Sequence, residues 1–335
     1  MTKSTRRRRA LGLTLAVLAL VAACVLSILI GSKSLAFSDI VHALTAYTGT
    51  PADQIVVELR VSRTVVGLVV GAALGVAGAL IQALTRNPLG DPGLLGVNAG
   101  AAFSVAIAVA AFGVTTAGGY LWFAFGGALV ATVVVYLVGA TGRRGLDPLR
   151  MTLAGVAVGA VLSGITTALI LLDPLSFRAL RGWDAGSFVE RGPAVYLPVL
   201  PFVLAGLVLA LAVAAPLNAI GLGEDLAASL GARVLRTRIL TVLAITLLAG
   251  GATAVAGPIA FVGLMVPHLA RWIVGPDQRW ILPYSLVLAP TVLLVSDIVG
   301  RVVLAPGEVP VGIVTAFVGA PVLILLVRRS RMRAL

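Results

Sequence analysis

Residues 217–238 read LNAIGLGEDLAASLGARVLRTR, a polar stretch that separates two long apolar runs. Within it, Gly223, Ala227 and Gly231 recur at every fourth position, which predicts a short amphipathic helix with one face of nearly bare backbone. The two acidic residues that follow Gly223 fall in the first turn, where the helix dipole favours negative charge. Such a face suits a close-fitting partner. An ordinary solvated loop helix has the same pattern, so both interpretations remain open.

The composition identifies an integral membrane protein. Hydrophobic residues occupy 59% of the 335 positions and charged residues only 11%, and the mean hydropathy is +1.09. Soluble domains carry roughly 25% charged residues. Apolar runs of about 20 residues recur along the chain, and each is long enough to cross the hydrocarbon core as an α-helix. The sequence therefore predicts an all-α polytopic fold in a single transmembrane domain, residues 1–335.

The distribution of charge predicts how this domain lies in the membrane. With about ten crossings, the loops that share a side with both termini and residues 217–238 carry 18 basic and 5 acidic residues, and the opposite side carries 7 and 8. Cytoplasmic loops are rich in Lys and Arg. Both termini and residues 217–238 are thus predicted to be cytoplasmic, and the polar segments 31–58 and 173–192 to be external. The predicted spans are 10–30, 59–84, 94–112, 120–140, 151–172, 193–215, 234–250, 257–268, 280–303 and 309–327.

The first apolar run has two possible interpretations. Its Val-Ala-Ala-Cys sequence at 21–24 is similar to a lipoprotein cleavage box, and a basic start before an apolar stretch also suits a signal peptide. The run continues beyond Cys24 to a length that spans a membrane. We therefore predict a retained first helix with Cys24 embedded in the membrane.

Glycine patterns predict how the helices pack. Gly67, Gly71 and Gly75 follow one another at four-residue spacing, which predicts a small-residue ridge for close helix contact in lipid. Residues 71–88 and 250–267 also share Gly, Val-Ala-Gly and Pro at equivalent positions. Duplicated halves are common in transporters. Chance similarity between two Gly/Ala-rich helices gives the same pattern, and both explanations remain open.

Several classes of active site have no support in the sequence. The only cysteine is Cys24 and there are two histidines, so neither an intrachain disulfide nor a Cys/His metal site is expected. A P-loop needs Lys after Gly, and neither Lys3 nor Lys33 follows one. No nucleophile elbow or HExxH motif occurs. We expect no catalytic residue, metal or cofactor on this chain, so ATP-driven work would require another subunit.

Charged residues are placed near the ends of the apolar runs. A charge at a helix centre costs about 2.5–3.5 kcal/mol, so a buried Asp, Glu or His would indicate an ion relay. Asp297 and Arg301 lie four residues apart near the outer end of the ninth run, where they can pair. A proton-driven carrier is disfavoured. Because unwound backbone can bind sodium, an ion-driven secondary carrier remains one alternative, and a scaffold or receptor without transport is another.

Motifs along nearly the whole chain resemble one transporter family. LRVSRT at 59–64 and GAALGVAGALIQALTRNPLGDPGLLGVNAGA at 71–101 closely resemble the permease subunits of bacterial ABC importers for ferric siderophores, haem and cobalamin. The segments GLLGVNAGA, RGWDAGS and 257–277 are most similar to permeases of the ferric-enterobactin type. The further matching motifs are LRMTLAGVAVGAVLSG, GEDLAASLGARVLRTR, GPIAFVGLMVPHLARWIVG, SDIVGR and VTAFVGAPVLILLVRR.

The resemblance implies the permease subunit of an ATP-driven importer that moves an iron-siderophore complex across the bacterial inner membrane. The implied partners are cytoplasmic ATP-binding subunits, an extracytoplasmic substrate-binding protein and a second permease. The enterobactin-type likeness favours a homologous second subunit over a second copy. ATP-Mg would be used by the partner ATPase, and no nucleic acid is implied. Import of haem or cobalamin by the same family remains an alternative.

The resemblance also implies a role for residues 217–238. The family's coupling helix, which docks into the ATPase and receives its motion, matches residues 221–231. This agrees with the cytoplasmic side that the charge distribution predicts for residues 217–238. The residues predicted to contact the ATPase are Gly223, Glu224, Asp225, Ala227, Leu230 and Gly231.

Two further groups of residues match family positions. Outer arginines that bind acidic residues of the binding protein correspond to Arg60, Arg63 and Arg301. An arginine near any helix end can instead snorkel to the interface, and Arg301 can pair with Asp297 alone. The segment that the family folds back as a gate corresponds to residues 177–187, and it places Trp183 and Ser187 near the pathway. Tryptophan is also a common interface anchor.

Overall fold

The computed structural model describes residues 3–140, 148–229 and 231–331. Within these ranges the chain forms helices and loops and no β-strand, as the composition predicts. The α-helices are α1 (Lys3–Leu29), α2 (Phe37–Thr45), α3 (Pro51–Gln54), α4 (Ser62–Thr85), α5 (Val97–Phe112), α6 (Ala117–Ala140), α7 (Pro148–Leu172), α8 (Pro174–Trp183), α9 (Pro193–Tyr196), α10 (Leu200–Gly221), α11 (Glu224–Ser229), α12 (Val234–Ala256), α13 (Val262–Val274), α14 (Gln278–Val303) and α15 (Val311–Arg331). A π-helical segment, Ile55–Val61, joins α3 to α4, and a 3₁₀ turn, Pro92–Leu95, precedes α5.

The apolar helices fall where the apolar runs predict them. Seven described helices are long and apolar enough to cross a membrane, and three shorter apolar helices fall at Val97–Phe112, Val262–Val274 and Val311–Leu325. Each of the ten predicted spans overlaps one of these helices. The seven long segments are Arg6–Leu29, Pro51–Thr85, Ala117–Gly139, Leu149–Leu172, Leu200–Gly221, Val234–Ala256 and Gln278–Val303.

Two of the apolar helices form the centre of the bundle. The most apolar stretches of α4 and α12 are each 78% buried, against 17% for α1 and 11% for α7. Helix α4 packs against α12, α13 and α14, and α12 also packs against α6 and α10. Helices α1 and α7 therefore lie on the outside of the bundle, with wide apolar surfaces available to lipid or to another subunit.

The predicted glycine ridge lets α4 approach α14 closely. A Cβ atom added at Gly71 would lie 2.5 Å from the Cα of Pro290, and one at Gly75 would lie 2.6 Å from the carbonyl oxygen of Ser285. Such distances leave no room for a side chain, because the obstructing atoms belong to backbone. The ridge prediction is confirmed, and α4 and α14 form a closely packed pair that runs through the bundle.

The two similar sequence segments adopt different structures. Residues 71–88 continue as helix to the end of α4. In residues 250–267 the helix stops at Gly257, whose φ of +76° ends α12, and α13 begins at Val262. The shared residues therefore do not produce a shared local fold.

The polar segment 31–58 folds onto the end of α1. Ile40 and Val56 are buried there, with Ile28 and Leu29 of α1 packed against them. Helix α3 begins with a capping box between Thr50 and an aspartate. The segment is thus a small folded cap at the end of α1.

Candidate functional sites at the two ends of the bundle

Two of the predicted docking arginines cap the C-terminus of α1. The last carbonyl groups of a helix have no partner within it. Arg60 Nη1 donates to the carbonyls of Ile28 and Leu29, each at 2.8 Å. Arg301 Nη1 donates to the carbonyl of Ser27 at 2.7 Å. Both positive charges lie at the negative end of the α1 dipole. Arg60 and Arg301 therefore hold α1 against the π-helical segment Ile55–Val61 and against α14.

A buried carboxylate links the third predicted arginine to the same group. Asp297 is 1% exposed and accepts a hydrogen bond from Arg63 Nη2 at 2.6 Å. It also forms an ion pair with Arg301 one turn further along α14, where Arg301 Nε lies 2.9 Å from Oδ2. A buried carboxylate requires such partners, because an unpaired charge there costs several kcal/mol. The pairing of Asp297 with Arg301, expected from their spacing, is confirmed.

Arg63 also reaches a carboxylate at the surface of the bundle. Its Nη1 atom lies 2.5 Å from Glu308 Oε2, and Ser32 Oγ donates to Glu308 Oε1 at 2.9 Å. Glu308 belongs to the loop 304–310 between α14 and α15, and its side chain is 24% exposed. Partial burial acts to raise the pKa of Glu308, but the hydrogen bond and charge of Arg63 outweigh it and lower the pKa. Glu308 is therefore ionised at neutral pH.

These side chains border a small, positively charged pocket. Its volume is about 170 Å³, and its lining includes four basic side chains and one acidic side chain, Glu308. A pocket of this charge suits a carboxylate or another anion. The structure thus brings the three predicted arginines together. The basic lining residues are Lys33, Arg60, Arg63 and Arg301.

Residues 217–238 contain a shorter helix than the spacing of Gly223, Ala227 and Gly231 predicts. Helix α11 is six residues long, and Gly223 and Gly231 lie outside it with φ of +121° and +82°. The N–H of Gly231 donates to Ala228 and that of Ala232 to Ala227, each at 2.9 Å, which is a Schellman ending. The predicted helical face of Gly223, Ala227 and Gly231 is therefore wrong. The two glycines bound the helix because their left-handed backbone cannot continue it.

The surface of this segment is formed by other residues. Ala227 is fully buried on the side of α11 that meets α10 and α12. Asp225 is exposed, and so are the apolar side chains of Leu222, Leu226 and Leu235. These leucines give this end of the bundle exposed apolar surface beside an exposed acidic residue. Glu224 is the first residue of α11, and Leu230 lies outside the described residues.

Asn218, near the end of α10, is hydrogen-bonded to the beginning of α14, a contact that we call the Asn218 clip. Asn218 Nδ2 donates to Asp277 Oδ1 at 2.7 Å, and the N–H of Gln278 donates to Asn218 Oδ1 at 2.8 Å. Asp277 also accepts from the N–H of Arg279 and so caps α14. These residues border a cavity of about 540 Å³ between the ends of α4, α10 and α14. Sequence reasoning missed this clip, because Asn218 resembles any loop asparagine.

The predicted gate residues lie at the end of α8. Trp183 is almost fully buried and Ser187 is half-buried. The N–H of Ser187 donates to the carbonyl of Ala256 at 2.8 Å, and the N–H of Gly312 donates to Gly186 at 3.0 Å. Residues 183–187 are therefore held between the end of α12 and the beginning of α15.

Comparisons with known proteins give a consistent result. The model of the FecCD transport family matches residues 19–329. The chain is 49% identical, over 98% of both chains, to the ferric enterobactin transport system permease protein FepD of Escherichia coli (strain K12). It is 38% identical, over 91% of both chains, to the probable siderophore transport system permease protein YfiZ of Bacillus subtilis (strain 168).

A solved structure shares the fold. It is described as an inward-facing conformation of a metal-chelate type ABC transporter, and it is 28% identical to this chain with a TM-score of 0.81. The match covers 95% of this chain and 98% of that one. The bundle described above is therefore an ABC transporter permease fold.

Proposed function

This chain belongs to the FecCD transport family and is a multi-pass permease of the inner membrane, and we propose that it imports a ferric-siderophore complex. The main support for this substrate class is the similarity of the whole chain to the ferric enterobactin permease of E. coli. The other similar permease described above is also named for siderophores. We therefore favour a ferric siderophore over haem or cobalamin.

We propose ten crossings with both termini in the cytoplasm. Ten apolar helices in the described ranges and the excess of basic residues on one side support this topology. It places α11 and the Asn218 clip on the cytoplasmic side of the membrane, and it places the pocket of Arg60, Arg63 and Arg301 on the external side. The two candidate sites then lie on opposite faces of the membrane, as coupling between an ATPase and a binding protein requires.

The cytoplasmic partner we propose is a separate ATPase that uses ATP-Mg. Its contact surface on this chain is the exposed part of the segment, with Asp225 and the leucines at 222, 226 and 235. A cluster of exposed apolar side chains next to an acidic one suits a protein cleft better than water. Ala227 supports α11 from beneath, and Gly223 and Gly231 set the ends of the helix.

The external partner we propose is a substrate-binding protein that presents acidic residues. The basic pocket at Arg60, Arg63 and Arg301 supports this role, since charge complementarity steers association and fixes register. Trp183 and Ser187 would adjoin the pathway that opens after docking. Their position between α12 and α15 supports a role in which residues 183–187 move with these helices.

We propose that the outer face of α7 meets a second, homologous permease. Helix α7 is largely exposed, and its exposed residues include Ser163, Gly164 and Thr167. Small and hydroxyl residues are typical of helix–helix interfaces within membranes. A pathway between the two permeases would then run beside α7.

Uptake in cells tests this function. A strain that lacks the chain should lose accumulation of ⁵⁵Fe supplied as ferric enterobactin, and a plasmid copy should restore it. Uptake of haem and of cobalamin is measured in the same strain. Loss of haem or cobalamin uptake with unchanged ⁵⁵Fe uptake would contradict the proposed substrate class.

A further inference from the structure

The three outer arginines differ in what a docking partner can reach. Arg60 and Arg301 are 3% and 1% exposed. Both guanidinium groups donate to carbonyls of α1, and that of Arg301 also donates to Asp297. To contact a partner they would have to release these buried acceptors, which would then lack donors. Docking through Arg60 or Arg301 would therefore cost some of the hydrogen bonds that hold the C-terminal end of α1.

Arg63 is arranged differently, because its two terminal nitrogens have separate tasks. Nη2 binds the buried Asp297, and Nη1 binds the partly exposed Glu308. Replacing Glu308 by another carboxylate would leave both terminal nitrogens of Arg63 paired and Asp297 undisturbed. The exchange conserves the number and type of charged hydrogen bonds at Arg63.

We propose that Glu308 is an internal ligand of Arg63 that an acidic side chain of the binding protein displaces. This inference rests on the proposed docking at the outer pocket. Glu308 occupies Arg63 in the undocked permease and keeps the site from binding other anions. When the binding protein arrives, its carboxylate takes Nη1 of Arg63 and Glu308 moves into solvent with its ionised side chain.

The release of Glu308 has a structural route to the gate segment. Val309, the next residue, donates from its N–H to the carbonyl of Gly300 at 2.9 Å. Gly312, in the first turn of α15, donates to Gly186 within residues 183–187. The loop 304–310 therefore connects the Arg63 site to the beginning of α15 and to the gate segment. Displacing Glu308 frees one end of this connection when the binding protein docks.

The test measures capture of the substrate-binding protein by the purified complex in nanodiscs at fixed ionic strength. Glu308→Gln keeps the size of the side chain and removes its charge. If Glu308 occupies Arg63 about nine-tenths of the time, its removal should tighten binding about tenfold. Ser32→Ala removes one hydrogen bond to Glu308 and should tighten binding by a smaller factor. Glu58→Gln is the matched control, because Glu58 is an exposed acid outside the pocket.

Each outcome separates this inference from the proposed docking site. Arg63→Gln should weaken capture in either case if the outer pocket binds the partner. Weaker capture by Arg63→Gln, with Glu308→Gln no tighter than Glu58→Gln, would overturn the displacement of Glu308 and leave the docking site standing. Unchanged capture by Arg63→Gln would overturn the docking site itself. Thermal unfolding of each variant identifies any loss of fold, and Ser32→Ala then decides between the outcomes.

Discussion

Asn218 and Asp277 join the end of α10 to the beginning of α14 through a side-chain hydrogen bond of 2.7 Å. Asn218 thereby connects the segment that holds α11 to the helix whose other end carries Asp297 and Arg301. Because α14 is packed closely along α4, we expect a displacement of α11 to reach the pocket at Arg63 and Arg301 through this helix pair. This contact is therefore the place at which we expect the two candidate sites to be coupled.

Asn218→Ala should uncouple ATP hydrolysis from transport. The substitution removes two hydrogen bonds worth about 1–2 kcal/mol each, so α10 and α14 can move separately. We expect siderophore uptake to fall roughly tenfold while the ATPase still binds the permease and hydrolyses ATP. Asn87→Ala, at an exposed asparagine that accepts from the N–H of Leu89 in its own loop, is the matched control. Equal uptake by the two variants in proteoliposomes would show that the clip carries no motion.

Gly78→Ala should destabilise the bundle. A Cβ atom at Gly78 would lie 1.8 Å from the carbonyl oxygen of Gly263, so α4 and α13 would have to separate. Overpacking of this kind costs about 1–3 kcal/mol, and thermal unfolding in detergent should shift to lower temperature. At Gly126 in α6 an added Cβ atom would meet no other atom within 4 Å. Gly126→Ala should therefore leave the unfolding temperature unchanged or raise it slightly. An unshifted transition for Gly78→Ala would contradict the close packing of α4 with α13.

Arg301→Ala should be among the most destabilising changes near the outer pocket. It removes one partner of the buried Asp297 and the donor to the α1 carbonyl of Ser27. Breaking a buried pair from one side costs about 3–5 kcal/mol. Adding Asp297→Asn to Arg301→Ala should recover part of the loss, since the carboxylate of Asp297 would otherwise have to share Arg63 with Glu308. Stability equal to that of Arg181→Ala, at an exposed arginine of α8, would mean that Arg301 is not a structural cap.

The contact between Arg63 and Glu308 should weaken only in acid. The folded-state pKa of Glu308 is lowered, so its contribution to stability is fully present above the ordinary glutamate pKa of about 4.3. That contribution is lost as the pH falls through the lowered value. The difference in unfolding temperature between the wild type and Glu308→Gln should be constant from pH 8 to 6 and shrink in strong acid. A difference that grows on acidification would show that the carboxylate is not stabilised by Arg63.

Local patterns allowed much of this structure to be predicted. Apolar run length predicted the membrane helices, and four-residue spacing predicted both the glycine ridge and the pairing of Asp297 with Arg301, because both depend on geometry within one helix. Spacing also predicted a continuous face through Gly223 and Gly231. That prediction failed because glycine adopts a left-handed backbone and ends a helix as easily as it lines one.

Contacts between segments that are far apart in the chain could not be predicted from the sequence. Arg63 meets Glu308 across 245 residues of chain, and Asn218 meets Asp277 across 59. The family likeness placed Arg60 at a docking surface, and the structure adds that its guanidinium caps α1. The carbonyls at the end of α1 lack a partner within the helix, and arginine side chains supply one. The sequence could not indicate this need, because every helix ends with such carbonyls.

Reconstitution tests most directly whether this permease depends on a separate motor. Proteoliposomes that contain the chain, its homologous second permease, the ATPase and the binding protein are supplied with ⁵⁵Fe-labelled ferric enterobactin. We expect uptake that requires ATP-Mg on the ATPase side and ceases when either the ATPase or the binding protein is omitted. Uptake by the chain alone under a proton or sodium gradient would contradict it, as would a complete complex that hydrolyses ATP and accumulates no iron.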